Sequence, residues 1–143
     1  MNYSSGHITV IGDLPLEHHH KSAVVWSNGD IKYGEPEYIV AYYKRKPFCF
    51  AHTSQLGAYI KVEFAFLELR HITSIVEALC EYIFLRYPDI MKLCIFITSK
   101  DWFGKKLMHK TGFIAEVCMR KHVKASGKVC DLLVFSKFSP RHK

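Results

Sequence analysis

The chain is 143 residues long, 49% hydrophobic and 23% charged, with a formal net charge of +7. That length fills one apolar core and leaves too little for a second ordinary domain, so residues 1–143 are expected to form a single domain. No apolar stretch reaches transmembrane length, the start around Asn2, Ser4, Ser5 and Gly6 lacks the charged-then-apolar build of a secretory leader, and five irregularly spaced cysteines argue against a disulfide framework, which together point to a cytoplasmic protein.

Ile8-Thr9-Val10-Ile11 reads as a short first strand, and Leu14 to Trp26 as a helix or loop closed by Ser27-Asn28-Gly29-Asp30. Glu35-Pro36-Glu37 then leads into a hairpin of Tyr38–Tyr43 and Phe48–Thr53, with Lys44-Arg45-Lys46 at its turn. After Gln55-Leu56-Gly57 the run Ala58–Leu69 alternates: Ile60, Val62, Phe64 and Phe66 share one face, and Tyr59, Lys61, Glu63, Ala65 and Leu67 the other. A helix opens after Arg70-His71 and runs to about Tyr87, with Ser74 and Glu77 spaced as a capping box and Ile72, Ile75, Val76, Leu79, Cys80, Ile83 and Phe84 on one stripe.

The apolar run Leu93–Ile97 is short and partly β-branched, as a buried strand should be. Ser99 or Asp101 can cap a following helix, which Gly112 stops. From Phe113 the chain stays β-prone to Val123, turns at Ala125-Ser126-Gly127-Lys128 and returns through Val129 to Phe138. A second group of cations, Arg120, Lys121, His122, Lys124 and Lys128, surrounds this hairpin. Both clusters suit an anionic partner, nucleic acid or an acidic protein, and both also suit the simpler role of keeping hairpin tips soluble. His18-His19-His20 has no Cys or carboxylate partner at structural-zinc spacing, and no nucleophile elbow, Walker loop or dinucleotide fingerprint is present. Cys118 and Cys130, on the last two strands, are candidates for cross-strand neighbours with free thiols.

The strand-helix-strand-hairpin order from Leu93 onward, with Leu107-Met108-His109-Lys110-Thr111-Gly112-Phe113 closing the helix, resembles the C-terminal half of the GNAT acyltransferase superfamily. There the segment commonly reads Asn, several helical residues, then Leu-Tyr-x-Lys-x-Gly-Phe; Asp101 stands at the Asn place and Met108 at the Tyr place. Arg120, Gly127 and Asp131 follow in the order seen in the ribosomal-protein acetyltransferase branch, and the likeness spans about Glu37 to Ser139. The resemblance implies an α+β fold, sandwich-like, with a central mixed β-sheet of six or seven strands and helices on both faces. The sheet should splay where the strand ending at Leu69 meets the one ending at Thr98.

The resemblance also implies acetyl-CoA as cofactor and an amine as acceptor. In that family the pyrophosphate binds at the strand-to-helix junction through Gln/Arg-x-x-Gly-x-Gly/Ala, because glycines let backbone N–H groups approach the phosphates. Arg70 matches the first position, whereas Thr73 and Ile75 replace the glycines, adding side chains where the phosphates would lie. The implied cofactor-binding residues are Leu67, Leu69, Arg70, Thr73, Ser74 and Asp101. Glu63 and Glu68 are the candidate acceptors of the amine proton, Glu63 on the polar face of its strand. Met108 has no proton to give a departing thiolate, and Tyr42, Tyr43, Tyr59 and Tyr82 are other candidate acids. Three readings follow: an N-acyltransferase; a catalytically silent GNAT-like binding or structural protein of the kind tailed phages encode; and a nucleic-acid binder using Lys44, Arg45, Lys46, Arg120, Lys121 and Lys124.

Overall fold

A computed structural model describes residues 2–17, 20, 22–29 and 38–142. Its elements are β1 (Asn2–Ser5), β2 (Ile8–Leu14), β3 (Trp26–Ser27), β4 (Tyr38–Tyr43), β5 (Lys46–Leu56), β6 (Tyr59–Phe66), α1 (Ile72–Arg86), β7 (Lys92–Thr98), α2 (Trp102–Lys110), β8 (Ile114–Ala125) and β9 (Lys128–Phe138). The nine strands form one mixed sheet in the order β1-β2-β4-β5-β6-β7-β9-β8, with β3 paired to β6 off that path. Two strands exceed the expected number. Asn2-Tyr3-Ser4-Ser5 has no apolar alternation to announce β1, and the two-residue β3 is fixed by its partner across the fold.

All neighbouring pairs are antiparallel except β6 and β7, whose parallel ladder stops after Tyr59–Lys92, Ile60–Leu93 and Lys61–Cys94. A crossover through α1 joins them, the kind of connection that parallel neighbours require. Beyond Lys61 and Cys94 the two strands part, and the edge of β6 facing the gap pairs instead with β3, Trp26 against Phe66 and Ser27 against Ala65.

The alternation read along β6 holds. Ile60, Val62, Phe64 and Phe66 are buried in the main apolar cluster, beneath Ile75, Val76, Leu79, Tyr82 and Ile83 of α1. Burying such side chains is worth roughly 1.5–3 kcal/mol each, and this cluster is where the fold's stability is concentrated. Leu107 and Met108 of α2 join the same cluster. On the opposite face, Tyr38, Val40, Phe50 and Ala65 form a smaller cluster with Leu16, flanked by Leu14 and Val24, so the chain between β2 and β3 covers that face. His20 and Ser22 within it are helical; His18, His19, Asp30 and the Glu35-Pro36-Glu37 step lie outside the described residues.

Two local readings are corrected. The N-cap of α1 is His71, in the left-handed conformation at φ 57° and without a side-chain cap, so Ser74 and Glu77 sit inside the first turns and form no capping box. The helix starts at Ile72, where the sequence places it, and the stripe residue Ile75 is buried against the sheet. Cys118 stands opposite Leu133 and Cys130 opposite Val123, so the two cysteines are not cross-strand partners. All five thiols are free, and Cys118 is exposed while the other four are buried.

Candidate functional site

The gap between the C-terminal halves of β6 and β7 opens toward the N-termini of both helices. On its floor side the junction Leu67–His71 leads into α1. Leu67 donates its N–H to the Phe48 carbonyl at 2.8 Å and stays half-buried, while Leu69 is exposed. The exposed Arg70 lies over the Phe48 ring and pairs with Glu68 at 3.1 Å. Glu68 therefore lies beyond the strand, and its hydrogen bond from Arg70 holds the carboxyl below the usual carboxylate range, which weakens it as a base.

Thr73 and Ile75 behave differently from the expectation for lost glycines. Both have helical backbones, and Ile75 is fully buried in the core, so its side chain is clear of the helix end. The residue that takes the glycine-like conformation is His71, whose imidazole stacks on Tyr43 at 4.2 Å between ring centres. Thr73 lines a groove of 290 Å³ with Ile72, Trp102, Phe103, Lys106, Leu107 and Lys110. The first turn of α1 carries no side-chain cap and no acidic residue, so its N–H groups and two lysines give this groove an anion-accepting end. Ser74 is exposed on the same turn.

Asp101 caps α2: its Oδ1 accepts the Gly104 N–H at 2.9 Å. Its Oδ2 accepts the Trp26 indole N–H at 3.0 Å. Trp26 then packs between Phe66 and Phe103, at 5.8 and 5.7 Å between ring centres. Gly104 permits this approach, since a Cβ there would fall 2.6 Å from Asp101 Oδ2 and 3.0 Å from Trp26.

The rest of this strap fastens to the free edge of β6. Val25 N–H donates to the Phe66 carbonyl at 2.8 Å and Asn28 N–H to the Phe64 carbonyl at 3.2 Å. The Asn28 side chain accepts the Phe64 N–H at 2.6 Å and donates to the Val62 carbonyl at 3.3 Å. Residues Val25–Asn28 thus satisfy the backbone groups that the splay leaves unpaired, and the cleft beside the helix ends is closed by the chain itself. A Trp-Ser-Asn-Gly run reads as a turn in sequence; its docking on β6 depends on partners far along the chain.

Glu63 stands just past the last β6–β7 pair, on the face opposite α1. Across the strands it faces His52, with Nδ1–Oε1 at 3.7 Å, and the two side chains are 19% and 25% exposed. Tyr38 continues this ladder, its ring 5.7 Å from that of His52. Gly29 passes directly over Glu63, and a Cβ there would lie 1.9 Å from Oε2. Met108, at the place where the resemblance puts a tyrosine, is fully buried in the core. Tyr82, on α1, is buried and accepts a hydrogen bond from Arg86 at 3.4 Å, and Tyr42, Tyr43 and Tyr59 are half-buried. The exposed cations Lys44, Arg45, Lys46, Arg120, Lys121 and Lys124 sit on the β4–β5 and β8–β9 hairpins, at the end of the sheet where β6 and β7 finish.

No protein-family model and no curated protein matches the chain. Solved structures do. A ribosomal-protein-S5-alanine acetyltransferase from Vibrio fischeri superposes with a TM-score of 0.68 at 13% identity, over 100% of this chain and 99% of the other. A GNAT-family acetyltransferase from Bacillus anthracis gives 0.69 at 9% identity, over 96% and 98%. A ribosomal L7/L12 α-N-protein acetyltransferase in complex with coenzyme A gives 0.60 at 12% identity, over 71% and 61%. The element order, the splayed parallel pair and these superpositions agree: the chain has the GNAT acetyltransferase fold.

Proposed function

We propose that this chain is a GNAT-type N-acyltransferase for an amine acceptor, with acyl-coenzyme A as donor and with the strap Val25–Gly29 gating the acyl end of its cleft. The observation that carries the reading is the β6–β7 splay, with Glu63 at its mouth and an anion-accepting groove at the N-terminus of α1. The residues fit the cofactor's two ends unequally. The groove offers the N–H groups of Ile72, Thr73 and Ser74 together with Lys106 and Lys110 to a diphosphate. The β6 edge beside it is taken by Val25–Asn28, so an acyl arm needs the strap displaced.

Bound there, the cofactor would supply a thioester whose carbonyl accepts the amine as the carbon–sulfur bond breaks. Glu63 takes the proton that the amine sheds, and His52 on β5 neighbours its carboxylate from the side away from the gap. Met108 gives nothing to the departing sulfur. A thiol with an ordinary pKa of about 8.5 leaves without strong acid assistance, so the missing tyrosine slows such a reaction and does not forbid it.

The closed strap also favours a second reading, a silent GNAT scaffold. Calorimetry with coenzyme A, and thiol release from acetyl-coenzyme A with amine-terminated peptides, separate the two when run on the wild type and Asn28→Ala. Binding and turnover in Asn28→Ala that Glu63→Gln then abolishes would support the gated enzyme. Binding without turnover once the strap is loosened would assign the scaffold role, and no binding by either protein would overturn the cofactor assignment.

A further inference from the structure

The two basic turns lie far apart in sequence but at one end of the sheet. Cys49 pairs with Phe66, which puts the Lys44-Arg45 turn beside the C-terminal end of β6. Thr98 pairs with Leu132, and Leu132 with Met119, so Lys121, Lys124 and the β8–β9 turn project past the C-terminal end of β7, which is parallel to β6. Arg70 and the N-terminus of α2 lie between them. A sheet that merely kept its tips soluble would have no reason to gather cations at one end.

The backbone gives a second, independent sign. Lys44 at φ 48° and Arg45 at φ 69° form the two-residue turn of the β4–β5 hairpin, a conformation that Asn-Gly adopts at least cost. Lys121, at φ 48° in the irregular stretch of β8, is left-handed as well. Each such residue costs roughly 1–2 kcal/mol, and the chain accepts that cost repeatedly with long cationic side chains at this rim. The carboxylates nearby are engaged: Glu68 with Arg70, Asp101 with Trp26, and Asp131 with the Lys121 N–H.

We infer that this rim binds single-stranded nucleic acid, with Lys44, Arg45, Lys121 and Lys124 along the phosphates and Trp102 as a stacking surface for a base. Five strand spacings from β4 to β8 span on the order of 24 Å, more than one cofactor's phosphates occupy and enough for several nucleotides of an extended strand. Trp102 heads α2 on the same end, is 68% exposed, and carries the Lys106 ammonium 5.0 Å from its ring centre. An aromatic face set among cations suits bases with any sequence. A folded acidic protein is the poorer fit, because protein interfaces are depleted in lysine at their centres. Trp102 and Lys106 also line the groove assigned above to the cofactor's diphosphate, so the two ligands would compete there.

Fluorescence anisotropy with labelled single-stranded ten-mers and three-mers over a salt series tests it on the full chain. The ten-mer should bind more tightly than the three-mer, with affinity falling linearly in log salt. Lys44→Asn combined with Arg45→Gly should raise thermal stability while lowering the salt slope by about 1.4, a pairing that a merely structural turn would not produce. Trp102→Ala should weaken binding by about tenfold. Absence of binding at low salt, equal affinity for polyglutamate, or an unchanged slope in the turn variant would overturn the assignment.

Discussion

Replacing Asn28 by Ala is the cleanest way to ask whether the strap limits access to the cleft. The side chain makes two hydrogen bonds to β6, with the Phe64 N–H at 2.6 Å and the Val62 carbonyl at 3.3 Å. At about 1 kcal/mol each, their loss favours strap opening by about 2 kcal/mol, roughly a 30-fold change in the open-to-closed ratio. While the open form is the minor one, apparent affinity for coenzyme A should tighten by the same factor, since the observed dissociation constant scales inversely with the competent fraction. The same change should lower Tm by roughly 4–8 °C. Titration calorimetry gives the affinity, and hydrogen exchange at the Val25 amide, whose bond to the Phe66 carbonyl the substitution leaves in place, reports opening. A variant that shows the lost protection and lowered Tm but binds coenzyme A no better than wild type would refute the strap as the barrier.

His71→Gly and His71→Ala both remove the ring stacked on Tyr43 and differ only by a Cβ in a left-handed backbone, so denaturant melts should place the Gly variant about 1 kcal/mol above the Ala variant. Glu116 accepts from Lys92 at 2.7 Å and from Ser136, which holds its carboxyl below the ordinary range. A depressed folded-state pKa contributes stability above the unfolded value near 4.3 and loses it as pH falls through the folded value, so Glu116→Gln should flatten the acid side of a Tm–pH curve. Cys118 is exposed, whereas burial pushes the Cys80 thiol up to about 12 and raises that of Cys49 as well. Iodoacetamide followed by peptide mapping should mark Cys118 in the native protein and the other two only after unfolding.

Much of the architecture was legible because it is carried by local pattern. The alternation along Ala58–Leu69, the capped helix after Asp101 and the Ser126-Gly127 turn all specify their elements without outside help, and the observed bounds differ from the expected ones by a few residues. The splay was legible only through the resemblance. What stayed hidden was tertiary. No property of Asn2–Ser5 or Trp26–Ser27 marks them as strands, since β1 is polar and β3 exists only through Phe66 and Ala65. Thr73 and Ile75 look like lost glycines in sequence because sequence gives identity without conformation. In the structure the helix absorbs both, and the left-handed angle moves to His71.

The residue that ties the fold to the cleft is Asp101, and its departure from the asparagine of the resembled pattern has a physical consequence. One carboxylate oxygen takes the Gly104 N–H of the helix cap and the other takes the Trp26 indole N–H. Both partners are donors. An asparagine has one acceptor oxygen, so with that oxygen on the cap it would turn an amide N–H₂ toward the indole N–H, donor against donor. Asn caps a helix as well as Asp does, so Asp101→Asn should leave α2 intact while releasing Trp26. Tryptophan fluorescence should then report a more solvated indole at unchanged helix content, and coenzyme A affinity should rise as it does in Asn28→Ala. Closure is therefore built into the same side chain that starts α2, and an indole that stays packed in Asp101→Asn would show that the strap is held by its β6 pairing alone.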